Sequence, residues 1–242
     1  MAQNVYDRAE FFARYSELPR SVGGLACAPE WPAVRALLPD MRGSHVVDLG
    51  CGFGWFARWA REQGAARILG LDLSRNMIDR AKADTSDANI EYRIADLERL
   101  DLPAAAFDFA YSSLALHYIE DFEPLVTSLH RALVPSSHFI FTIEHPIYMT
   151  PMHPGWAADA DGRMTWPVNR YAIEGPRVTD WLGKGVVKQH RMMGTTLNTL
   201  IGAGFAIRHV EEWSPTIDQI QANGDLAQEL ERPMILIVAA QR

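Results

Sequence analysis

Cysteine is scarce in this chain. Of 242 residues only Cys27 and Cys51 are cysteine, and no C-x-x-C pair occurs. That excludes a disulfide framework and points to reduced thiols in a cytoplasmic protein. Runs of lysine and arginine are also missing. With a net charge of −7 and a pI near 5.6, the chain lacks the basic footprint that nucleic acid requires. No apolar run reaches membrane-spanning length. Met1–Arg14 carries charges throughout, where a secretory signal would need an apolar stretch. Histidines and acids show no metal-ligand spacing, so no metal is expected. Internal repeats and low-complexity tracts are missing as well. A chain 48% hydrophobic and of this length fits one large domain, or one domain with an added cap.

What is present centres on His45–Gly54, H-V-V-D-L-G-C-G-F-G. Val46, Val47 and Leu49 suit a short buried strand. Gly50, Gly52 and Gly54 follow at alternate positions, and Trp55–Arg61 then reads as a helix. Strand, glycine turn and helix together let backbone approach a ligand closely, because glycine tolerates positive φ and a helix N-terminus offers free N–H groups. The dinucleotide pattern G-x-G-x-x-G fails, since Trp55 stands where its third glycine belongs. Arg67–Asp72 reads as the second strand. Asp72 ends it 22 residues past Gly50, where an acid accepts hydrogen bonds from ribose hydroxyls in open α/β sheets. Ser74 is the better cap for the helix Arg75–Ala83, which leaves Asp72 free for that role.

The stretch Val46–Gly54 with its two downstream acids resembles the class I S-adenosylmethionine-dependent methyltransferases, whose first motif reads V-(L/V)-D-(L/V)-G-C-G-x-G. The resemblance is strong over Val46–Phe141 and one of layout in the C-terminal third. It implies a Rossmann-like α/β three-layer sandwich with a seven-stranded, mostly parallel sheet and an antiparallel last strand inserted beside strand 5. It also implies an N-terminal helical cap over 1–40, a cofactor-binding core over 41–146, a lid insertion over 147–192 and the rest of the sheet over 193–242. S-adenosyl-L-methionine is the implied cofactor and S-adenosyl-L-homocysteine its product. The implied contacts are Asp48, Gly50, Cys51, Gly52 and Gly54 on the turn, and Asp72, Leu73 and Met77 around the nucleoside. Asp96 and Leu97 after strand 3 face adenine, Ser112 and Ser113 after strand 4 lie near the methionine end, and Tyr15 comes from the cap.

Periodicity supplies the remaining elements. A helical segment is expected over Val5–Leu18, ended by Pro19, with a loop over Ser21–Pro32 and a short helix over Ala33–Leu38. Strands are expected at Asn89–Ile94, Phe107–Tyr111, His138–Glu144, Phe205–Trp213 and Met234–Ala240. Helices are expected at Glu123–Leu133 and Met193–Ala203, with a weaker one over Ile217–Glu231. Ile147–Gln189 is irregular and rich in Trp, Pro and Gly, as substrate-binding loops often are.

A small-molecule methyl acceptor is the expected partner, in a monomer or homodimer. If the acceptor is a hydroxyl or a protonated amine, a general base helps, and histidine suits neutral pH. His117 and His145, both just past strand ends, are the leading candidates, with His190 third. Two other readings stay open: a binding protein of the same fold without catalysis, and a nicotinamide-dependent oxidoreductase, which Trp55 weakens.

Overall fold

The computed structural model describes residues 3–242; Met1 and Ala2 of the expected cap lie outside the described residues. The chain enters through a 3-10 turn, Val5–Asp7, and helix α1, Ala9–Ser16. The expected helix over Val5–Leu18 is thus broken at Arg8, which is extended at φ −76° and ψ 122°. The break has a cause in Asp7, whose carboxylate turns away to meet another helix. Pro19 does not simply end a helix. It opens α2, Pro19–Gly23, where its missing N–H costs nothing, and a 3-10 turn follows over Gly24–Cys27. The loop expected over Ser21–Pro32 is therefore largely helical. Helix α3, Trp31–Leu37, carries Pro32 in its first turn.

Strand and helix then alternate up to β3: β1 His45–Leu49, α4 Trp55–Glu62, β2 Arg67–Asp72, α5 Arg75–Ala83 and β3 Ile90–Ile94; a 3-10 turn, Leu97–Arg99, leads to β4 Phe107–Ser113, and α6 Phe122–Ala132 and β5 Leu133–Glu144 follow. After a short helix α7, Pro146–Met149, the insertion forms two hairpins. Strands β6 Ala157–Ala158 and β7 Met164–Thr165 make the first, and β8 Gly175–Thr179 and β9 Val186–His190 the second. Helix α8 Met193–Gly202, strand β10 Ala206–Trp213, helix α9 Ile217–Ala222, a 3-10 turn Gly224–Leu230 and strand β11 Ile235–Gln241 complete the chain. Seven strands form one sheet in the order β10-β11-β5-β4-β1-β2-β3. Among the described strands of this sheet only β11 runs against its neighbours, β5 and β10. This is the Rossmann-like, seven-stranded, mostly parallel sheet with its last strand antiparallel beside β5 that the sequence implied.

Alternation along the strands divides the core between the two sheet faces. Val47, Leu49, Phe139, Phe141, Leu236 and Val238 pack with α6 and α8. Val46, Ile68, Ile140, Ile235 and Ile237 pack with α3, α4 and α5 on the other face. The sheet is thus buried on both sides, as near-continuous apolar strands require. The strand order reverses direction between β1 and β4, and a cleft opens there beyond the carboxyl ends of the strands.

The insertion is less irregular than its composition implied, because buried arginines organise it. Arg177, 2% exposed, donates from Nε to the Thr150 carbonyl at 2.9 Å and from Nη2 to the Ile173 carbonyl at 2.7 Å. Arg232 stacks within 4.3–5.2 Å of the rings of Tyr148, Trp156 and Trp166, tying the insertion to the C-terminal segment.

Candidate active site

The glycine turn after β1 is built by its neighbours. Gly50, Gly52 and Gly54 all have positive φ, at 75°, 51° and 73°. A Cβ on Gly50 would come within 2.3 Å of Ala115 Cβ, so the turn is packed directly against the loop after β4. A Cβ on Gly52 would meet nothing within 4 Å, so this residue borders open space. Gly54 serves instead as the left-handed cap of α4. It lies against Tyr92, whose hydroxyl would be 2.2 Å from a Cβ there, and away from the cleft lining.

Asp72, at the end of β2, closes this turn. Its Oδ2 accepts the Gly52 N–H at 2.9 Å and its Oδ1 the Ser74 N–H at 2.9 Å. Each oxygen keeps a further acceptor site for a ligand hydroxyl. Burial pushes the Asp72 carboxyl up to about 6, against the pull of the Ser74 and Gly52 N–H groups. Asp48, on β1, is 2% exposed, and its Oδ2 has no hydrogen-bond partner among the described residues. Burial, and next the charge of Asp72, push it up to about 8.

Two adjoining chambers fill the cleft, with volumes of about 110 and 190 Å³. The first brings together Gly50, Gly52, Asp72, Leu73, Met77, Asp96, Leu97 and Tyr15. Asp96, which lines the chamber, caps the turn Leu97–Arg99 by accepting the Glu98 N–H at 3.1 Å through Oδ1, and its Oδ2 has no hydrogen-bond partner among the described residues. Ser113, not Ser112, borders the chamber. Side chains alternate along β4, and Ser112 is fully buried, with its Oγ donating to the Leu49 carbonyl at 2.7 Å.

The second chamber shares Gly50, Gly52, Tyr6, Tyr15, Ser113 and Tyr118 with the first, and adds Asp48, Cys51, His117, Glu144, Trp55 and Trp181. The hydroxyls of Tyr6 and Tyr118 lie 3.1 Å apart at the seam. Lys188, on β9, donates to Glu144 Oε1 and sits 5.0 Å from the centre of the Trp181 ring. Glu144 Oε2 accepts no hydrogen bond among the described residues.

His117 lies in the second chamber, held in one tautomer. Its Nδ1 accepts the Glu144 backbone N–H at 3.3 Å, so the ring proton belongs on Nε2. Burial holds its pKa well below the usual histidine range, and the Lys188 and Arg191 cations add to this. Arg191 fixes the loop by donating to the carbonyls of Leu116 and Ile119, both at 2.6 Å. His145 is not brought to the cleft. It is fully buried, caps α7 by accepting the Ile147 N–H at 3.1 Å, and pairs through Nε2 with Glu212 at 2.8 Å. His190 is also buried, with Nε2 on the Tyr171 carbonyl at 2.8 Å.

The sequence reading missed Glu144, Lys188 and Tyr118. Tyr118 directly follows His117 in the run after strand 4, whereas no local pattern marks Glu144 or Lys188, which meet the glycine turn only through the fold. The N-terminal segment closes the first chamber. Gln3 exchanges hydrogen bonds with the Gly185 carbonyl and the Val187 N–H. Asp7 accepts from the Ser74 hydroxyl at 2.6 Å and the Asn76 N–H at 3.0 Å at the start of α5.

The profile of the family described as Methyltransferase domain matches residues 47–141, from β1 to β5. The crystal structure of an S-adenosylmethionine dependent methyltransferase from Mesorhizobium loti is 61% identical to this chain. It superposes with a TM-score of 0.87 over 90% of this chain and 100% of that one. A Listeria monocytogenes structure is 36% identical, with a TM-score of 0.81 over 89% of this chain and 98% of that one. A malonyl-[acyl-carrier protein] O-methyltransferase of Pseudescherichia vulneris is 34% identical over 62% of this chain and 58% of that enzyme.

Proposed function

Because the chain belongs to the S-adenosylmethionine-dependent methyltransferases, we propose that it methylates a small-molecule acceptor held in the second chamber. The observation that carries this reading is the continuity of the two chambers through the Tyr6–Tyr118 seam, with aromatic rings walling the far side. When bound, the cofactor supplies an electrophilic methyl group on a sulfonium centre.

Asp72 receives the ribose hydroxyls through charge-assisted bonds. Asp96 and the Leu97 N–H receive the adenine edge, while Leu73 and Met77 pack its faces. The unpartnered carboxylate of Asp48 and the open side of Gly52 fit a group carrying positive charge close to the turn. The cap residues Tyr6 and Tyr15 exclude water, and the paired walls align the acceptor for in-line attack.

Glu144 takes the role of proton acceptor from an N–H or O–H nucleophile, held in place by Lys188. His117 orients the acceptor by donating from Nε2. That differs from the base role expected for it, because its Nδ1 lone pair is already engaged. His145 positions the start of the insertion, since both its ring nitrogens are occupied.

The relative from Pseudescherichia vulneris supports a second reading, a carrier-bound acid as acceptor. The ion pair weighs against it, because Lys188 is already neutralised by Glu144. Methyl-tritiated S-adenosylmethionine incubated with fractionated cell extract separates the two. Label entering the low-molecular-mass fraction supports the proposal. Label entering acyl-carrier protein supports the second reading.

A further inference from the structure

Of the two serines that the resemblance sets near the methionine end of the cofactor, Ser112 is turned into the core and bonded to Leu49, which leaves Ser113 alone at the chamber. Unsatisfied polar groups cluster elsewhere on the second chamber. Among the described residues Trp55 Nε1 is buried without a partner, as are Ser21 Oγ and Asp48 Oδ2, and all three residues border that chamber. Ser21 neighbours the Tyr15 hydroxyl without completing a hydrogen bond to it. Burying a donor or acceptor without a partner is costly, so three at one place imply a ligand that satisfies them.

A guanidinium completes the group. Arg20 also borders the chamber, and its positive charge acts on the Tyr15 and Tyr111 hydroxyls across it. Glu30, 2% exposed, holds one of its nitrogens, Nη2, with oxygens at 2.6 and 2.8 Å. Nε and Nη1 have no hydrogen-bond partner among the described residues. Gly24 is packed against Trp55, since a Cβ there would lie 2.4 Å from the indole ring. The cap turn and the first residue of α4 are thus seated together.

Resting on the methyltransferase reading, we infer that Arg20, Ser21 and Trp55 form a carboxylate clamp for the α-amino-acid end of the cofactor, with Asp48 facing its ammonium group. The chemistry matches on both counts. A guanidinium, a hydroxyl and an indole N–H are all donors suited to a carboxylate, and the remaining orphan is an acceptor suited to an ammonium. The clamp stands on the N-terminal cap and α4, whereas the nucleoside contacts stand on β2 and the turn after β3. Cofactor binding therefore draws the cap onto the sheet. A ligand lacking the amino-acid end gains nothing from the clamp.

Calorimetric titration with S-adenosylhomocysteine and with 5′-methylthioadenosine, which keeps the nucleoside and lacks the amino acid, tests this directly. Arg20→Met is expected to weaken S-adenosylhomocysteine at least tenfold and Trp55→Phe about fivefold, with 5′-methylthioadenosine unchanged within twofold. Arg20→Met in a Glu30→Gln background guards against misfolding from an unpaired buried Glu30. Equal losses for the two ligands would assign these residues a structural role and overturn the clamp. Unchanged S-adenosylhomocysteine affinity would also overturn it and assign the donors to the acceptor. A folded wild-type protein that binds neither ligand would overturn the methyltransferase reading itself.

Discussion

Asp72 Oδ2 and the Gly52 N–H meet at 2.9 Å, joining the end of β2 to the apex of the glycine turn after β1. The two residues form one unit: the acid fixes the turn, and the turn's N–H helps hold the acid's charge inside the fold. Replacing Asp72 therefore removes a ligand contact and loosens the loop at once.

Asp72→Ala is expected to weaken S-adenosylhomocysteine binding by about 1.5–3 kcal/mol, the scale of a hydrogen bond to a charged group. Asp72→Asn should lose less, since its amide oxygen still accepts one N–H. Calorimetry on folded variants checks this. An unchanged affinity for Asp72→Ala would remove Asp72 from the ribose site.

Binding should release a proton near pH 7. Burial keeps Asp48 protonated up to about pH 8 and Asp72 up to about pH 6 in the free protein. A cation beside Asp48 favours its ionised form, so the ligand lowers that pKa and expels the proton. Affinity accordingly rises with pH and levels off above about 8, where Asp48 is already ionised. Titrations in phosphate and in Tris at pH 7 should give heats that differ by the buffers' ionisation enthalpies, and Asp48→Asn should shrink that difference. Equal heats in the wild type would contradict this.

Much of the fold was legible because each strand and helix of the core carries its own periodicity, and the glycine turn and Asp72 lie in one short stretch. The site was legible only where contacts are local. Ser112 and Ser113 differ by a single step of strand alternation, and which one faces the cleft depends on register with β1 and β5. His145 follows a strand end as His117 does, yet Glu212 on β10, far along the chain, draws its ring into the core. Pro19 reads as a helix stop, whereas it starts α2 with Arg20 and Ser21 on board. Lys188 and Glu144 pair across 44 residues, a distance no sequence motif spans.

On the acceptor side, Glu144→Gln should lower turnover by about 10²–10⁴-fold, the range for a positioned proton acceptor. Affinity for S-adenosylhomocysteine should change little. His117→Gln, which keeps a donor, should cost less than His117→Leu. Since burial holds His117 neutral, the pH–rate profile should show no histidine step between about pH 5 and 8. A step there that vanishes in His117→Gln would restore the base role to His117.

The insertion depends on Arg232, which stacks on Tyr148, Trp156 and Trp166 and pairs with Glu229 at 3.1 Å, both side chains being 8% exposed. Arg232→Met should destabilise the protein by about 3–5 kcal/mol, because it leaves a buried carboxylate unpaired. Urea unfolding measures it. A loss below about 1 kcal/mol would show that the stack does not anchor the insertion.

Titration of the wild-type protein with S-adenosylhomocysteine, and separately with NAD, tests most directly whether the turn Gly50–Gly54 and Asp72 cradle this cofactor. Saturable binding of S-adenosylhomocysteine with none of NAD is the predicted result. Binding of NAD alone would contradict the reading of the turn and every role built on it.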